Sequence, residues 1–386
     1  MKLAIVTTHP VQYNAPWFRM LAQQGDIELK VFYTWQQSEQ GAKYDPGFGR
    51  VIEWDIPLLA GYDYVFVENV ATDPGTHHFK GVINPGLNEA IISWGANALL
   101  VIGWSFSSHL RCLRYFHGKI PVLFRGDSNL LDEQAGIKKI IRRVFLKWVY
   151  RHVDVALYTG THNKAYYLAH GLKEQQLIFA PHAIDNDRFA DADGTLEKKA
   201  LAWRNELGFT DTDIVVLFAG KLEPKKDPAI IIRLAGELTN ERIKFLLVGN
   251  GVLEQELKKQ ASGYSHVKFL DFQNQTQMPL LYRVADIFLL PSVGPGETWG
   301  LAINEAMACS RPIISSDKAG ASVDLVHNGN NGFVFPAGDM PFLKRCLVAC
   351  SDKQQLGAMG KQSAIRISNW NFEAIVKAVT TALLKK

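Results

Sequence analysis

The stretch DIVVLFAGKLEPKKDPAIIIRLAGEL, residues 213–238, decides the fold class of this chain. Its apolar run DIVVLFAG ends in a turn rich in glycine, proline and lysine. DPAIIIRLAGEL follows, with apolar residues at helical spacing. A strand that is apolar along its whole length is typical of a parallel sheet covered on both faces. The stretch therefore predicts a strand–turn–helix unit of an α/β protein.

The same alternation recurs along most of the chain, in two series. The first series of predicted strands is LAIVTT, IELKVFYT, ALLVIGW, PVLFRG, VDVALYT and LIFAPH; the second is DIVVLFAG, IKFLLVGN, VKFLDF, ADIFLLPS, PIISSD and GFVFPAG. Each series is long enough for a doubly wound sheet. We therefore predict two Rossmann-like domains that face each other across a cleft. The cleft is the expected active site, because ligands of such sheets bind at the carboxyl ends of the strands.

The boundary between the two series is marked by a polar segment, DNDRFADADGTLEKKA, at residues 185–200. We place a hinge at 183–196, an N-terminal domain at 1–184 and a C-terminal domain at 185–369. The aromatic and irregular segment 41–62 is predicted to be an excursion of the first domain, with a hairpin as the candidate structure. The Asp185/Asp187 and Asp191/Asp193 pairs are interpreted as turn residues and not as metal ligands.

Composition narrows the class of protein. The 386 residues are 47% hydrophobic and 21% charged, as in a globular protein, and the net charge of +4 is too small to indicate nucleic-acid binding. The four cysteines lack metal-ligand spacing, which favours a reduced, cytoplasmic protein. The N-terminal MKLAIVTTHP is interpreted as a buried strand and not as a signal peptide.

The turn after DIVVLFAG places Gly220, Lys221 and Lys226 between the end of a strand and the start of a helix. Asp227 is a good N-cap and Pro228 a good first helical residue. Such a turn can hold a phosphate. The alternative is a solvated basic loop.

A second turn, GPGETWGLAINEAMACS at residues 294–310, leads into a helix predicted to begin near Trp299 or Gly300. Glu305 has only apolar residues three and four positions away on that helix, where a carboxylate is costly unless it is hydrogen-bonded. Ribose or sugar hydroxyls would satisfy it. The alternative is a structural ion pair with a lysine or arginine.

Three polar turns of the first domain follow predicted strands and suggest a polyhydroxylated substrate, although each residue taken alone is more often structural. They contain His9, Gln12, Tyr13 and Asn14 in the first turn, Trp104, Ser105 and His109 in the second, and Arg125, Asp127 and Ser128 in the third.

Taken together, GKLEPKK, ETWGLAINEAMA with the following RPIISSD, and PHAIDNDRF resemble the retaining GT-B glycosyltransferases of family 4, glycosyl transferases group 1. The likeness covers nearly the whole chain. It implies transfer of a sugar from a UDP- or GDP-sugar to a hydroxyl of a glycan, lipid-linked or small-molecule acceptor, in polysaccharide or glycoconjugate synthesis. It also implies that no metal or cofactor is needed, and that the last helix, 370–386, joins the first domain.

The resemblance assigns roles to individual residues. Lys221, which replaces the usual arginine, and Lys226 would hold the diphosphate, Glu297 would contact the transferred sugar, and Glu305 would bind the ribose. His109 completes the implied catalytic set, with Trp104 as the alternative. The other implied donor contacts are Gly220, Asp271, Phe272, Gln273, Thr298, Trp299, Gly300 and Leu301. His9, Gln12, Tyr13, Asn14, Trp104, Arg125 and Asp127 would lie on the acceptor side.

Two other functions remain alternatives: a sugar-nucleotide epimerase of the same architecture, and a non-catalytic nucleotide-sugar-binding protein. A separate question concerns AGIKKIIRRVFLKWVYRH, residues 135–152, a basic amphipathic helix. We favour packing of its apolar face on the sheet. The alternative is that the helix lies on the inner face of an anionic membrane as a peripheral contact.

Overall fold

The computed structural model describes residues 1–36, 43–45, 47–238 and 240–384. It divides into two compact units, of which the first comprises residues 1–42, 56–182 and 372–386. The second comprises residues 43–55 and 183–371. Each unit has its own parallel sheet and its own core of buried aliphatic and aromatic side chains.

The sheet of the first unit has the strand order β5-β2-β1-β6-β7-β8-β9, and its neighbouring strands are parallel. These strands are β1 (Lys2–Thr7), β2 (Glu28–Tyr33), β5 (Asp63–Phe66), β6 (Ala98–Ile102), β7 (Val122–Arg125), β8 (Val155–Tyr158) and β9 (Leu177–Phe179). The helices of this unit are α1 (Ala15–Ala22), α2 (Leu87–Trp94), α3 (Ser107–Phe116), α4 (Ile137–Tyr150), α5 (Thr161–Ala169) and α15 (Phe372–Leu384).

The sheet of the second unit has the order β12-β11-β10-β13-β14-β15 and is also parallel. Its strands are β10 (Ile214–Ala219), β11 (Ile243–Val248), β12 (Val267–Leu270), β13 (Ile287–Leu290), β14 (Ile313–Ser316) and β15 (Gly332–Phe335). Its helices are α6 (Asn186–Phe189), α7 (Thr195–Glu206), α8 (Ala229–Glu237), α9 (Glu254–Gln260), α10 (Met278–Val284), α11 (Ala302–Ala308), α12 (Ser322–Leu325), α13 (Met340–Ala349) and α14 (Lys353–Ile367). An antiparallel hairpin, β3 (Lys43–Asp45) with β4 (Arg50–Ile52), belongs to this unit too.

All twelve strands predicted from the sequence are present. Most of them are largely apolar and buried, as in β1, β6, β10 and β13, whereas β2 and β12 each contain a lysine and are only partly buried. Strand β5 was not predicted. It is an edge strand with largely exposed residues, and it carries aromatic rings instead of an aliphatic run. Phe66 of β5 stacks on Tyr33 of β2, with ring centroids 5.2 Å apart. This pairing is a tertiary contact that the local sequence does not predict.

Two predicted helix starts lie too early in the chain. Pro228, not Asp227, is the N-cap of α8, and Asp227 instead ends a short 3-10 turn in the left-handed conformation. Helix α11 begins at Ala302, with Leu301 as its N-cap. In both places the glycine- or proline-containing turn is longer than the local pattern indicated.

The two units differ from the predicted domains at their boundaries. The first unit ends at residue 182 where the sequence placed 184, and α15 joins the first unit from residue 372. Residues 43–55 group with the second unit, although we expected segment 41–62 to be an excursion of the first. Gly41, Ala42 and Pro46 of that segment lie outside the described residues.

At least one aspartate of each acidic pair near the boundary accepts backbone N–H groups at the start of a helix, in line with the predicted turn role, whereas Asp187 lies within α6. Asp185 caps α6 by accepting the backbone N–H of Arg188 at 3.2 Å. Asp191 accepts the N–H groups of Leu196 and Glu197 at 3.0 and 2.8 Å, at the start of α7.

Helix α4 contradicts the favoured interpretation of segment 135–152. Ile137, Ile140, Ile141 and Val144 are between 59% and 68% exposed, and Phe145 is 41% exposed. Only the end of the helix, with Leu146, Val149 and Tyr150, is buried. Most of the predicted apolar face, from Ile137 to Phe145, therefore does not pack on the sheet, whereas Val149 at its end is buried. Within the described residues, no helix combines the length and the apolar character that crossing a membrane requires.

The turn after β11 depends on a glycine. Gly249 has φ +131°, and a Cβ placed there would lie 2.1 Å from the carbonyl oxygen of Gly220. The backbone of this turn thus lies directly against the lysine-bearing turn after β10, at a distance that only glycine permits.

We predict that Gly249→Ala destabilises the protein, because the unfavourable φ alone costs about 1–2 kcal/mol and the overlap adds to it. Urea or thermal unfolding measures the effect. The matched control is Gly263→Ala, where an added Cβ meets no atom within 4 Å. Equal stability of the two variants would contradict the proposed close contact.

Candidate functional site

The polar side chains of interest in the second unit lie in turns at the carboxyl ends of β10, β11, β12 and β13. The turn after β10 is tied to the turn after β13, because the backbone N–H groups of Val293 and Gly294 donate to the carbonyl of Lys225 at 2.8 and 3.2 Å. Residues 220–226 and 292–301, which are far apart in sequence, therefore form one surface.

Lys226 and Glu297 form an ion pair on that surface. The ammonium nitrogen lies 2.6 Å from Oε2 of Glu297, and the two side chains are only 16% and 10% exposed. The hydroxyl of Ser292 donates to the same oxygen at 3.0 Å. This close, largely buried pair places a cation and a hydrogen-bond acceptor side by side at the strand ends.

Lys221 is held by a different carboxylate. Its ammonium donates to both oxygens of Asp45, at 2.8 and 3.0 Å, and lies 5.0 Å above the centre of the Phe48 ring. Burial on its own would raise the pKa of Asp45. The hydrogen bond and charge of Lys221, with the N–H groups of Gly47 and Phe48, outweigh burial and leave that pKa lowered.

Glu305 is buried, with 3% of its surface exposed. Its Oε2 accepts the hydroxyl of Tyr282 in α10 at 2.7 Å. The carboxylate therefore has a hydrogen-bond donor inside the fold, which accounts for its tolerance among apolar neighbours. Its predicted contact with a ribose stays a prediction.

The predicted base-reading residues follow β12. Asn250, from the turn after β11, donates to Oδ1 of Asp271 at 3.2 Å and accepts the backbone N–H of Phe272 at 3.0 Å. The side-chain amide of Gln273 donates to the carbonyl of Asp271 at 3.0 Å. The turns after β11 and β12 are thus joined, and Phe272 lies at their junction.

The turn that leads into α11 is held by its own side chains. The indole of Trp299 is buried, donates to Asn304 at 2.9 Å and packs on Trp370 with ring centroids 5.2 Å apart. Gly300 has φ +97°, and a Cβ there would lie 2.8 Å from Leu290. Thr298 and Leu301 flank these two residues. Contact of any of them with a donor stays a prediction.

The first predicted turn of the first unit joins β1 to α1. Nδ1 of His9 lies 3.0 Å from the hydroxyl of Thr8, and its ring packs edge-on against Trp35. Asn14 is the N-cap residue of α1, and its side-chain oxygen accepts the indole N–H of Trp17 at 3.2 Å. Gln12 and Tyr13 are partly buried in the same turn.

His109 is fully buried in α3. Its Nδ1 donates to the carbonyl of Gly103 at 2.8 Å, so the neutral ring accepts the Thr34 hydroxyl at Nε2, 2.9 Å away. Burial lowers the pKa of His109 to about 4, although the bond to Gly103 opposes it. This placement favours a structural role. Trp104, the alternative, packs on Phe145 of α4 with centroids 5.6 Å apart.

Arg125, at the end of β7, is buried and donates to the carbonyls of Ala180 and Pro181, both at 2.8 Å. It ties β7 to the chain that follows β9. Asp127 is partly exposed and lies 3.8 Å from Nε2 of His182. Arg125 therefore has a structural function whatever else it contacts.

The structure adds four residues that the sequence prediction missed: Asp45, Asn250, Tyr282 and His182. Each reaches a predicted residue across a large sequence separation, up to 176 residues for Asp45 and Lys221. The sequence does contain one signal, because Asn250 and His182 both end predicted strands. It contains none for the other two.

These two parallel α/β units define the class as an α/β protein of GT-B architecture. Structures of similar fold include HepE of Anabaena in complex with UDP and glucose, with a TM-score of 0.73, 18% identity and 99% of both chains covered. Sucrose-phosphate synthase of Thermosynechococcus elongatus is similar with a TM-score of 0.72, 18% identity, 99% of this chain and 98% of the other. Both show the predicted fold.

Within that class, residues 200–362 match the family described as Glycosyl transferases group 1. The matched part is similar to this family, in agreement with the sequence resemblance.

Three curated relatives show the same likeness. A GDP-mannose-dependent phosphatidylinositol monomannoside mannosyltransferase of Corynebacterium glutamicum is 28% identical over 65% of this chain and 71% of its own length. A D-inositol 3-phosphate glycosyltransferase of Geodermatophilus obscurus is 26% identical over 55% of this chain. A phosphatidyl-myo-inositol mannosyltransferase of Mycobacterium leprae is 32% identical over 43%. The match spans 49% and 44% of the last two relatives.

We predict that His109 makes the fold sensitive to acid. Its folded pKa lies below the unfolded value, so the unfolded chain binds the proton first. The free energy of unfolding therefore decreases as the pH falls from about 6.5 towards 4, by about 3 kcal/mol at most, because the buried ring is accommodated in its neutral form. Unfolding of wild type and His109→Gln across this range measures the difference.

The exposed Gln23 supplies the control, as Gln23→Ala, which changes no titratable group. The stability advantage of the wild type over His109→Gln should shrink as the pH falls, whereas the difference from Gln23→Ala should stay nearly constant. A pH-independent difference for His109→Gln would show that the ring is not buried in its neutral form.

Proposed function

We propose that this protein is a retaining glycosyltransferase that moves a sugar from a UDP- or GDP-sugar to an acceptor hydroxyl. The observation that carries the proposal is the Lys226–Glu297 pair at 2.6 Å, in the part of the chain that is similar to group 1 glycosyltransferases and at the carboxyl edge of its parallel sheet. A diphosphate needs cations, and a sugar needs a hydrogen-bond acceptor. This pair offers both within one short distance.

The proposed chemistry rests on charge and position. Lys221 and Lys226 stabilise the negative charge that develops on the departing diphosphate. The departing phosphate oxygen takes the proton of the acceptor hydroxyl as the new glycosidic bond forms on the same face of the sugar. The lysines supply the positive charge in this scheme, so the proposal includes no metal ion and no cofactor.

Relatives support the choice of donor and acceptor class. One curated relative is named as GDP-mannose-dependent, and HepE of Anabaena was crystallised with UDP. Inositol 3-phosphate and phosphatidyl-myo-inositol appear in the names of two other relatives. We therefore propose a hydroxylated acceptor that is a glycan, a lipid-linked molecule or a small molecule.

A panel of UDP-, GDP- and ADP-sugars tests the proposal through thermal stabilisation and slow donor hydrolysis. A ligand at 100 times its Kd stabilises a protein by about 2.7 kcal/mol. We expect one nucleotide series to stabilise the wild type, and Lys226→Ala and Glu305→Ala to lose this effect. Hydrolysis should persist in EDTA, and NMR should show retention in the transferred product.

The matched control is Lys361→Ala, which removes an exposed lysine of α14 in the same unit. It should keep the stabilisation. Failure of every nucleotide to bind would overturn the proposal. Conversion of a UDP-sugar to its epimer without an acceptor would favour the epimerase alternative, and binding without hydrolysis or transfer would favour the non-catalytic one.

We further propose that α4 contacts an anionic membrane surface. Its apolar residues at 137, 140, 141, 144 and 145 recur at helical spacing and are exposed. Residues 135–152 contain six lysines and arginines and no acidic residue. An exposed apolar stripe flanked by basic residues complements an anionic bilayer surface in both respects. The consequence is a peripheral protein with access to lipid-linked acceptors.

Co-sedimentation with vesicles tests this second proposal. The wild type should bind vesicles that contain phosphatidylglycerol, bind neutral phosphatidylcholine vesicles weakly, and lose binding at high salt. Ile141→Glu should weaken binding about tenfold. It removes one aliphatic side chain that would enter the bilayer, and it adds a negative charge that the anionic lipids repel. Ile365→Glu is the control, because Ile365 and Ile141 are both 63% exposed. Equal effects of the two substitutions would overturn the proposal.

A further inference from the structure

The hairpin segment 43–55 lies on two of the proposed donor-binding residues of the second unit. Asp45 holds the Lys221 ammonium through both carboxylate oxygens. Phe48 packs edge-on against Phe272, with ring centroids 4.9 Å apart, and Trp54 contacts the same ring at 6.4 Å. Lys221, which is predicted to bind the diphosphate, and Phe272, which is predicted to lie near the base, thus both contact this one short segment.

The carboxyl end of this segment is fixed separately. The carbonyl of Glu53 accepts the side-chain amide of Asn274 at 2.7 Å. The carboxylate of Asp55 accepts the backbone N–H of Thr276 at 3.1 and 3.2 Å and also the Thr276 hydroxyl. These bonds attach residues 53–55 to the turn after β12 without involving Lys221.

The fit around Lys221 is close. A Cβ at Gly47 would lie 2.6 Å from both Cδ and Nζ of Lys221, so the lysine side chain runs directly along the hairpin turn. Asp45 is itself oriented by the N–H groups of Gly47 and Phe48, at 2.8 and 3.2 Å. The carboxylate is therefore preorganised for the lysine.

A carboxylate that binds an ammonium with two oxygens offers the same chemistry as the non-bridging oxygens of a phosphate. One ammonium has three N–H donors, and Asp45 already engages this one with both oxygens. A diphosphate that binds Lys221 must therefore either displace Asp45 or share the ammonium with it. The repulsion between two anions at one cation favours displacement.

We propose that segment 43–55 is a lid of the donor site, in which Asp45 occupies Lys221 until the diphosphate of a nucleotide replaces it. The inference rests on the proposed function and adds a way in which nucleotide binding is regulated. Residues 53–55 keep the lid attached while its Asp45 end releases. Nucleotide affinity is consequently set by competition with an internal anion as well as by the contacts of the nucleotide itself.

Isothermal titration of the full-length protein with UDP and with GDP tests the lid. Asp45→Asn removes the competing charge, keeps the shape of the side chain, and should tighten binding of the preferred nucleotide by about three- to tenfold. Asp63→Asn, at an exposed aspartate of β5, makes the same change of charge and should leave the affinity nearly unaltered.

A second background separates local competition from a general electrostatic effect. In Lys221→Met the ammonium is absent, so Asp45→Asn should no longer tighten binding. Loss of the gain in this background, with comparable melting temperatures for all variants, supports the lid. Equal or weaker binding by Asp45→Asn overturns the lid alone, as does a gain that persists in Lys221→Met. Failure of the wild type to bind either nucleotide overturns the proposed function together with the lid.

Discussion

A parallel sheet that is buried on both faces confines its polar chemistry to the ends of its strands. The strands β10, β11 and β13 are apolar along almost their whole length. Polar groups that would be costly inside the sheet therefore collect in the turns that follow. Because the strands run parallel, several of those turns meet at the same edge.

The cations at this edge are each held by a carboxylate of the protein. Glu297 binds Lys226, and Asp45 binds Lys221. Removing one member of a largely buried pair leaves an uncompensated charge, which is strongly destabilising. A ligand that brings its own negative charge can replace such a partner. The same electrostatics that stabilises the lysines in the fold thus makes them responsive to an anion.

How much was predictable depends on the range of the interaction involved. The strands were predictable because an apolar run of five or six residues is a local property. Strand β5 was not, since its residues are largely exposed and its aromatic rings contact Tyr33 on another strand. Helix α4 has a regular amphipathic pattern, but the pattern cannot say whether its apolar stripe meets a sheet or faces outward. His109 shows the same limit, because only the fold reveals that both ring nitrogens have partners.

The alternation of strands and helices, the presence of two parallel sheets and the positions of Lys221, Lys226 and Glu297 in turns after strands could be inferred from the sequence alone, whereas the unit to which residues 43–55 belong could not. Those features follow from hydrophobic pattern and from turn chemistry, which act over a few residues. Only the tertiary structure decided that Lys226 meets Glu297, that Tyr282 satisfies Glu305, and that Asp45 reaches Lys221. These partners are separated by 71, 23 and 176 residues. Such pairs form when the sheet brings its strand ends together, and no local pattern encodes that geometry.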